Sequence, residues 1–239
     1  SSVNDVLAST VTGALRTYLA DRCEPIDELE IRAVVPVNLR PPERALELGN
    51  EFGLVWLTLP IFIEDPMLRL AEIKRRMDAI KESTEAVVAI SVLFAMGLTP
   101  QQIEDQIVNL FCAQATLVLT NVMGPTRPLY MAGSKIENMM FWVPQAGRMS
   151  TGISILSYDG RVTLGVIADA GLVSDPAAIT GQFEHEFEIL MQHAIRLSPK
   201  LAEEGKPISL NHASITELAR LPRIGPARAQ AIAECRPFV

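Results

Sequence analysis

The sequence is short of cysteine, histidine and long uncharged apolar runs, and each shortage removes a class of function. Three cysteines, Cys23, Cys112 and Cys235, are odd in number and far apart, which fits neither a disulfide framework nor a zinc cluster. A reducing, cytoplasmic setting is expected. Three histidines, His185, His193 and His212, stand without a histidine neighbour, and a spacing of eight between the first two is not that of a metal pair on one helical turn. No metal site is expected from such a set. Residues 86–103 and 106–126 carry no charge, but the first is interrupted by Gly97, Thr99 and Pro100 and the second by Asn109, Gln114, Asn121, Gly124 and Pro125. Neither is an apolar span of about 20 residues, so no membrane-crossing helix is predicted. Peripheral contact with a membrane or lipid droplet stays open, because an apolar helix face can lie in an interface without crossing it.

What is present is a globular composition. The chain has 239 residues, 49% hydrophobic and 21% charged, which excludes disorder and allows one large domain plus a small module. The net charge of −7 is uneven. From Pro207 onward four arginines and two acids leave the tail at +2, so residues 1–206 carry −9. Such a body repels nucleic acid, and only the tail could bind it, weakly. The chain opens on Ser1 with no signal-peptide pattern, so export is not expected. Ser2 and Asp5 have the spacing of a capping box. An initiating helix is an abrupt beginning, and an upstream portion is expected.

The periodicity gives a mixed order of elements. Val6, Leu7, Thr10, Val11, Ala14, Leu15, Tyr18 and Leu19 recur at helical spacing up to Asp21, a helix to be packed on a sheet. Residues 31–37 read as a strand stopped by Pro36, and residues 52–63 as a second extended run. Asp65 followed by Pro66 opens a second amphipathic helix to Ser83. Residues 85–96 and 100–113 predict two further helices, the second capped by Thr99. Strands are then predicted over 116–121, 135–143, 152–158 and 161–168, the last two joined by Asp159-Gly160, a two-residue hairpin signal. A helix over 177–197 closes the body. The fold class is therefore α/β, or mixed α+β, with a mixed sheet flanked by helices. The predicted organisation is a body over 1–197, a linker over 198–207 and a small helical module over 208–239.

Four phrases carry a resemblance: Val3-Asn4-Asp5-Val6-Leu7-Ala8; Val34-Val35-Pro36-Val37-Asn38-Leu39-Arg40 with Gly49-Asn50; Thr120-Asn121-Val122-Met123-Gly124-Pro125; and Ser157-Tyr158-Asp159-Gly160. In this order they resemble the wax ester synthase/diacylglycerol acyltransferase family, within the chloramphenicol acetyltransferase-like superfamily, across residues 1–197. Met123 stands where that family usually has proline. The resemblance implies the carboxy-terminal lobe of a two-lobed enzyme with a tunnel between lobes. It implies acyl transfer from acyl-CoA, a substrate rather than a cofactor, to a long-chain alcohol or diacylglycerol. The family's His-His-x-x-x-Asp-Gly motif belongs to the amino-terminal lobe and is absent here, so no catalytic residue is assigned on this chain and that lobe is an implied partner.

The resemblance also marks site residues, each with a plainer reading beside it. Asn4 and Asp5 match the family's Asn-Asp pair near the active-site channel, although Asp5 could serve only the helix start. Asn50 could orient the same channel or be a turn residue after Gly49. Asn121, Gly124 and Pro125 are expected to shape a turn, Gly124 by its backbone freedom. Trp142 and Gly147 could line an acyl or alcohol tunnel, but alternate strand residues face opposite ways and core packing competes.

The tail resembles a helix-hairpin-helix module. Ser214 and Glu217 are spaced as a capping box, and Arg223-Ile224-Gly225 stands where a hairpin could bring backbone amides to a phosphate. Arg223 replaces the usual first glycine. A structural or protein-contact appendage is favoured by the modest charge; the rival is a non-enzymatic DNA-binding or scaffold protein.

Overall fold

A computed structural model describes residues 2–38, 40, 44, 52–83, 115–144, 149–197, 214–216, 230 and 233. The helices predicted over 85–96 and 100–113, and the linker over 198–207, lie outside them. The chain divides into two units, Ser1–Ile189 and Leu190–Val239.

In the first unit, α1 (Val3–Ala20) begins on the expected capping box: the Ser2 side chain accepts from the Asp5 backbone, and the Asp5 side chain accepts from the Ser2 backbone. β1 (Glu30–Asn38) and β2 (Phe52–Pro60) pair antiparallel, from Glu30 opposite Pro60 to Asn38 opposite Phe52. α2 (Pro66–Glu82) starts where Asp65 accepts hydrogen bonds from the backbones of Met67 and Leu68, both at 2.8 Å, with Pro66 in the first turn. Proline costs nothing there, since that N–H has no helical acceptor. β3 (Leu117–Met123) follows, then a short hairpin of β4 (Tyr130–Met131) and β5 (Ser134–Lys135), then β6 (Thr151–Tyr158), β7 (Arg161–Ala168) and α3 (Pro176–Leu197), whose residues from Leu190 onward fall in the second unit.

The main sheet has the order β2-β1-β3-β6-β7, with β1, β3 and β6 parallel and the outer strands antiparallel to their neighbours. The β6–β7 hairpin turns at Asp159 and Gly160, both at positive φ, as a two-residue turn with the twist of the strands requires. Two strand predictions need correction. β1 is not stopped by Pro36, which pairs opposite Leu54. The Arg32 carbonyl accepts from Thr116, so alternate peptide groups at Arg32, Val34 and Pro36 face β3. Pairing with β3 ends at Val34, so the N–H that Pro36 lacks would have had no ladder partner.

The second correction concerns 135–143. Only Ser134–Lys135 is strand, and residues 136–144 form an irregular strap over β6 and β7. Side chains hold it in place of a backbone ladder. Tyr158 donates to the Ile136 carbonyl at 2.8 Å, Thr163 donates to the Asn138 side chain at 2.8 Å, and Ser154 donates to the Phe141 carbonyl at 2.5 Å. A Cβ on Gly165 would stand 2.9 Å from the Phe141 carbonyl oxygen, and one on Gly152 would stand 3.4 Å from Val143. Those two glycines let the strap lie close.

The opposite face of the sheet carries the helices. Ala33, Leu57, Leu117, Ile153 and Ile155 are buried there with Leu7, Val11 and Leu15 of α1. The central helix α1 is enclosed beyond its apolar stripe, with Ser9, Thr10, Thr12 and Gly13 also buried. Thr10 and Thr12 satisfy their hydroxyls on the carbonyls of Val6 and Ala8, the usual solution for a buried helical threonine. In the second unit Ser214 directly precedes helical Ile215 and Thr216, and Gln230 and Ala233 are helical.

Candidate active-site edge

Parallel β1, β3 and β6 bring their carboxyl ends to one edge of the sheet, and the amino end of α1 reaches the same edge. In open α/β sheets the crevice beyond the carboxyl ends is where ligands bind. Asn4 and Asn121 meet here: the Asn121 amide donates to the Asn4 amide oxygen at 2.7 Å. They come from separate phrases of the sequence and are both reachable from solvent. Asp5 is 1% exposed. One of its oxygens accepts from the Ser2 backbone at 2.5 Å, and the other is buried without a hydrogen-bond partner. Its capping role is thus visible, and its second oxygen remains a free acceptor. Lys74 of α2 lies within reach of its field; the Lys74 ammonium is held above its ordinary range first by its hydrogen bond with Asp78, with Asp5 adding to the effect.

Gly124 and Pro125 carry the chain away from β3, stitched to the end of β6. The Gly124 N–H donates to the Ser157 carbonyl at 2.9 Å, and the Pro125 carbonyl accepts from Asp159 at 3.0 Å. A Cβ on Gly124 would sit 2.4 Å from the Ser157 carbonyl oxygen. Glycine is needed for this close approach, and Gly124 is not among the positive-φ residues, so the expected backbone freedom is not the reason. Trp142 is on the strap and exposed. The structure therefore brings Asn4, Asp5, Asn121, Gly124 and Pro125 to one edge and leaves Trp142 apart from them. Asn50, Gly147, Arg223, Ile224 and Gly225 lie outside the described residues.

Sequence reasoning missed the buried contact behind this edge. Arg69 of α2 forms an ion pair with Glu186 of α3, and the pair crosses α1 at Gly13, where a Cβ would fall 2.3 Å from the Glu186 carboxylate and 2.5 Å from the Arg69 guanidinium. Arg69 also donates to the carbonyls of Ile63 and Glu64, each at 3.1 Å, and Thr17 donates to Glu186 at 3.5 Å. Burial pulls the Arg69 guanidinium below its usual range, and the charge of Glu186 opposes that shift. The available signal was Gly13, a poor helix former in the middle of an otherwise regular helix.

A helix-flanked mixed sheet of this kind is also found in a solved acyltransferase. The solved wax ester synthase/diacylglycerol acyltransferase from Marinobacter aquaeolei VT8 matches with a TM-score of 0.57 and 24% identity, covering 81% of this chain and 44% of that one. The probable diacylglycerol O-acyltransferase tgs1 of Mycobacterium tuberculosis (strain ATCC 25618 / H37Rv) is 25% identical over 203 residues, 83% of this chain and 43% of the relative. The O-acyltransferase WSD of Acinetobacter baylyi is 22% identical over 191 residues, 79% of this chain and 41% of the relative. The family profile WS/DGAT C-terminal domain matches residues 48–191. The chain belongs to the wax ester synthase/diacylglycerol acyltransferase family and carries its C-terminal domain. A second profile, the helix-hairpin-helix motif, matches residues 203–239. The chain spans less than half the length of the curated relatives it matches. Among the described residues no helix is long and apolar enough to cross a membrane.

Proposed function

We propose that this chain is the carboxy-terminal lobe of an O-acyltransferase that moves an acyl group from acyl-CoA to a long-chain alcohol or diacylglycerol, its histidine base standing on an amino-terminal lobe. The observation that carries the reading is the Asn4–Asn121 contact at the carboxyl edge. It joins two of the phrases on which the family resemblance rests. An alcohol is a poor nucleophile at neutral pH, so the base takes its proton as oxygen attacks the thioester carbon. The oxyanion needs donors placed beforehand. As the tetrahedral intermediate collapses, the C–S bond breaks and the CoA thiolate takes from the histidinium the proton that the alcohol gave up. This chain's part is to wall the edge, exclude water and present neutral amides beside the reacting groups; no cofactor enters. Contact with a membrane or lipid droplet would bring the lipid acceptor close.

The test is acyl transfer from a thioester to a long-chain alcohol, measured with this chain alone, with the amino-terminal portion of tgs1 alone, and with the two co-expressed. Turnover is expected only from the pair. Turnover by this chain alone overturns the assignment of the base. A second reading rests on the helix-hairpin-helix match: tight, salt-resistant DNA binding that is lost on removing residues 208–239 would favour a DNA-binding or scaffold protein.

A further inference from the structure

An ion pair out of reach of water is a poor source of stability, because two apolar groups of the same volume do as well or better. Arg69 is 1% exposed and Glu186 8%, so their pairing asks for another reason. The best-attested one for a buried charge is that it selects one register among several that apolar packing would accept. The apolar stripe of α1 leaves that choice open. Leu7, Val11 and Leu15 recur every four residues in the core, and a helix moved along its axis still lays an aliphatic side chain on the sheet. The ion pair admits one position. It crosses α1 at Gly13, where a Cβ would overlap both charged groups, and the residues one turn away on either side, Ser9 and Thr17, carry side chains. Arg69 is itself anchored on the carbonyls of Ile63 and Glu64, each at 3.1 Å, and Glu186 accepts from Thr17 at 3.5 Å.

We propose that Arg69 and Glu186 are positioning residues for acyl transfer: by engaging Gly13 they fix the axial place of α1, and so bring Asn4 to Asn121. The inference rests on the proposed function and adds what sets the amide pair in place. Asn4 lies nine residues from Gly13 along α1, about 14 Å at the rise of a helix. A regular helix carries an axial shift over that distance almost undiminished. The Asn121 amide meets Asn4 at 2.7 Å, so a displacement of about 1 Å along that line already takes the contact to the limit of hydrogen-bond reach. Arg16 also ties α1 to its surroundings, through the carbonyls of Ile61 and Phe62 at 3.0 and 3.3 Å. Its stem is long and flexible and can follow such a shift, whereas the notch at Gly13 is backbone and cannot.

The test uses the full chain carrying Arg69→Met/Glu186→Leu, which removes both charges and keeps the buried volume, with folding checked by circular dichroism. Its first readout needs no turnover. In a proton–nitrogen correlation spectrum the Asn121 side-chain amide of the unaltered chain, assigned by its loss in Asn121→Ala, should be displaced from the resonance of a free asparagine, and in the double variant it should return there. The second readout is acyl transfer with the amino-terminal portion of tgs1 co-expressed. The folded double variant should lose about tenfold to a hundredfold in kcat and keep KM for both substrates within about twofold, a split that a purely stabilising pair would not produce. A folded double variant that retains the displaced Asn121 signal, or retains kcat, overturns the proposal. If the double variant does not fold, Gly13→Ala fills the notch from the other side, and the same two readouts decide with the same signs. No turnover from the unaltered pair sinks the proposed function, and the amide spectrum then decides alone whether the ion pair places Asn4.

Discussion

Arg69 and Glu186 lie 117 residues apart and meet across the middle of α1, so three helices share one buried ion pair at the point where Gly13 has no side chain. The pair fixes how α1 sits between its neighbours, and hence where its amino end meets the sheet edge.

Breaking one half of such a pair is costly, because the other charge is left in a site without water. Arg69→Met should lower the unfolding free energy by about 3–5 kcal/mol. Combining it with Glu186→Leu should recover much of that loss, since two apolar groups of similar size need no partner. Urea denaturation of the two single variants and the double variant measures the coupling. Additive losses would mean that the two side chains act separately.

Gly13→Ala tests the same crossing from the side of α1. Alanine would gain about 1 kcal/mol of helix propensity in an open helix. Here its methyl meets both charged groups at contact distances no Cβ tolerates, and displacing them should cost about 1–3 kcal/mol. In the Arg69→Met/Glu186→Leu background, where the obstructing charged tips are gone, the penalty should fall. An equal penalty in both backgrounds would place the obstruction elsewhere.

Acid stability should carry the mark of Glu72. Hydrogen bonds from Arg75 and, less strongly, Arg76 bring its carboxyl from 4.5 to about 2. A carboxyl depressed in the folded state stabilises the protein above its unfolded value, and this contribution is lost as pH falls from 4.5 towards 2. Glu72→Gln should therefore flatten the acid limb in that window. At pH 7 it should cost on the order of 1 kcal/mol, because solvent screens a pair on the helix surface. Thermal unfolding between pH 2 and pH 7 distinguishes the two proteins, and parallel curves would contradict the assignment.

Local signals were legible where the chemistry is local. Ser2 with Asp5, Asp65 with Pro66, and Asp159 with Gly160 each placed an element boundary, because a cap or a tight turn is satisfied by near neighbours. The strap was not legible. Met139 to Val143 has the composition of a strand, but strand formation needs a partner edge, and here hydroxyls of Ser154, Tyr158 and Thr163 take the positions a ladder would use. Gly124 was recognised as necessary for a reason that differs from the structural one. The Asn4–Asn121 contact was not legible: resemblance marked the two residues separately, and nothing in either residue's surroundings in sequence announces a partner so distant. The Arg69–Glu186 pair was hidden because both residues look like the solvated faces of amphipathic helices.

The seam between β1 and β3 is narrow: two residue pairs, Ala33 with Leu117 and Val34 with Val118, join them. On either side the strands are bound along most of their length, β1 to β2 and β6 to both β3 and β7. The sheet is therefore two assemblies joined at a short line, and the chain between Val34 and Val118 must close before that line can form. Contacts of such sequence separation form late, after local hairpins have already offset part of their own entropy. In hydrogen exchange, the amides of β6 and β7 should gain protection early in refolding, and those that bridge the seam between β1 and β3 should gain it last.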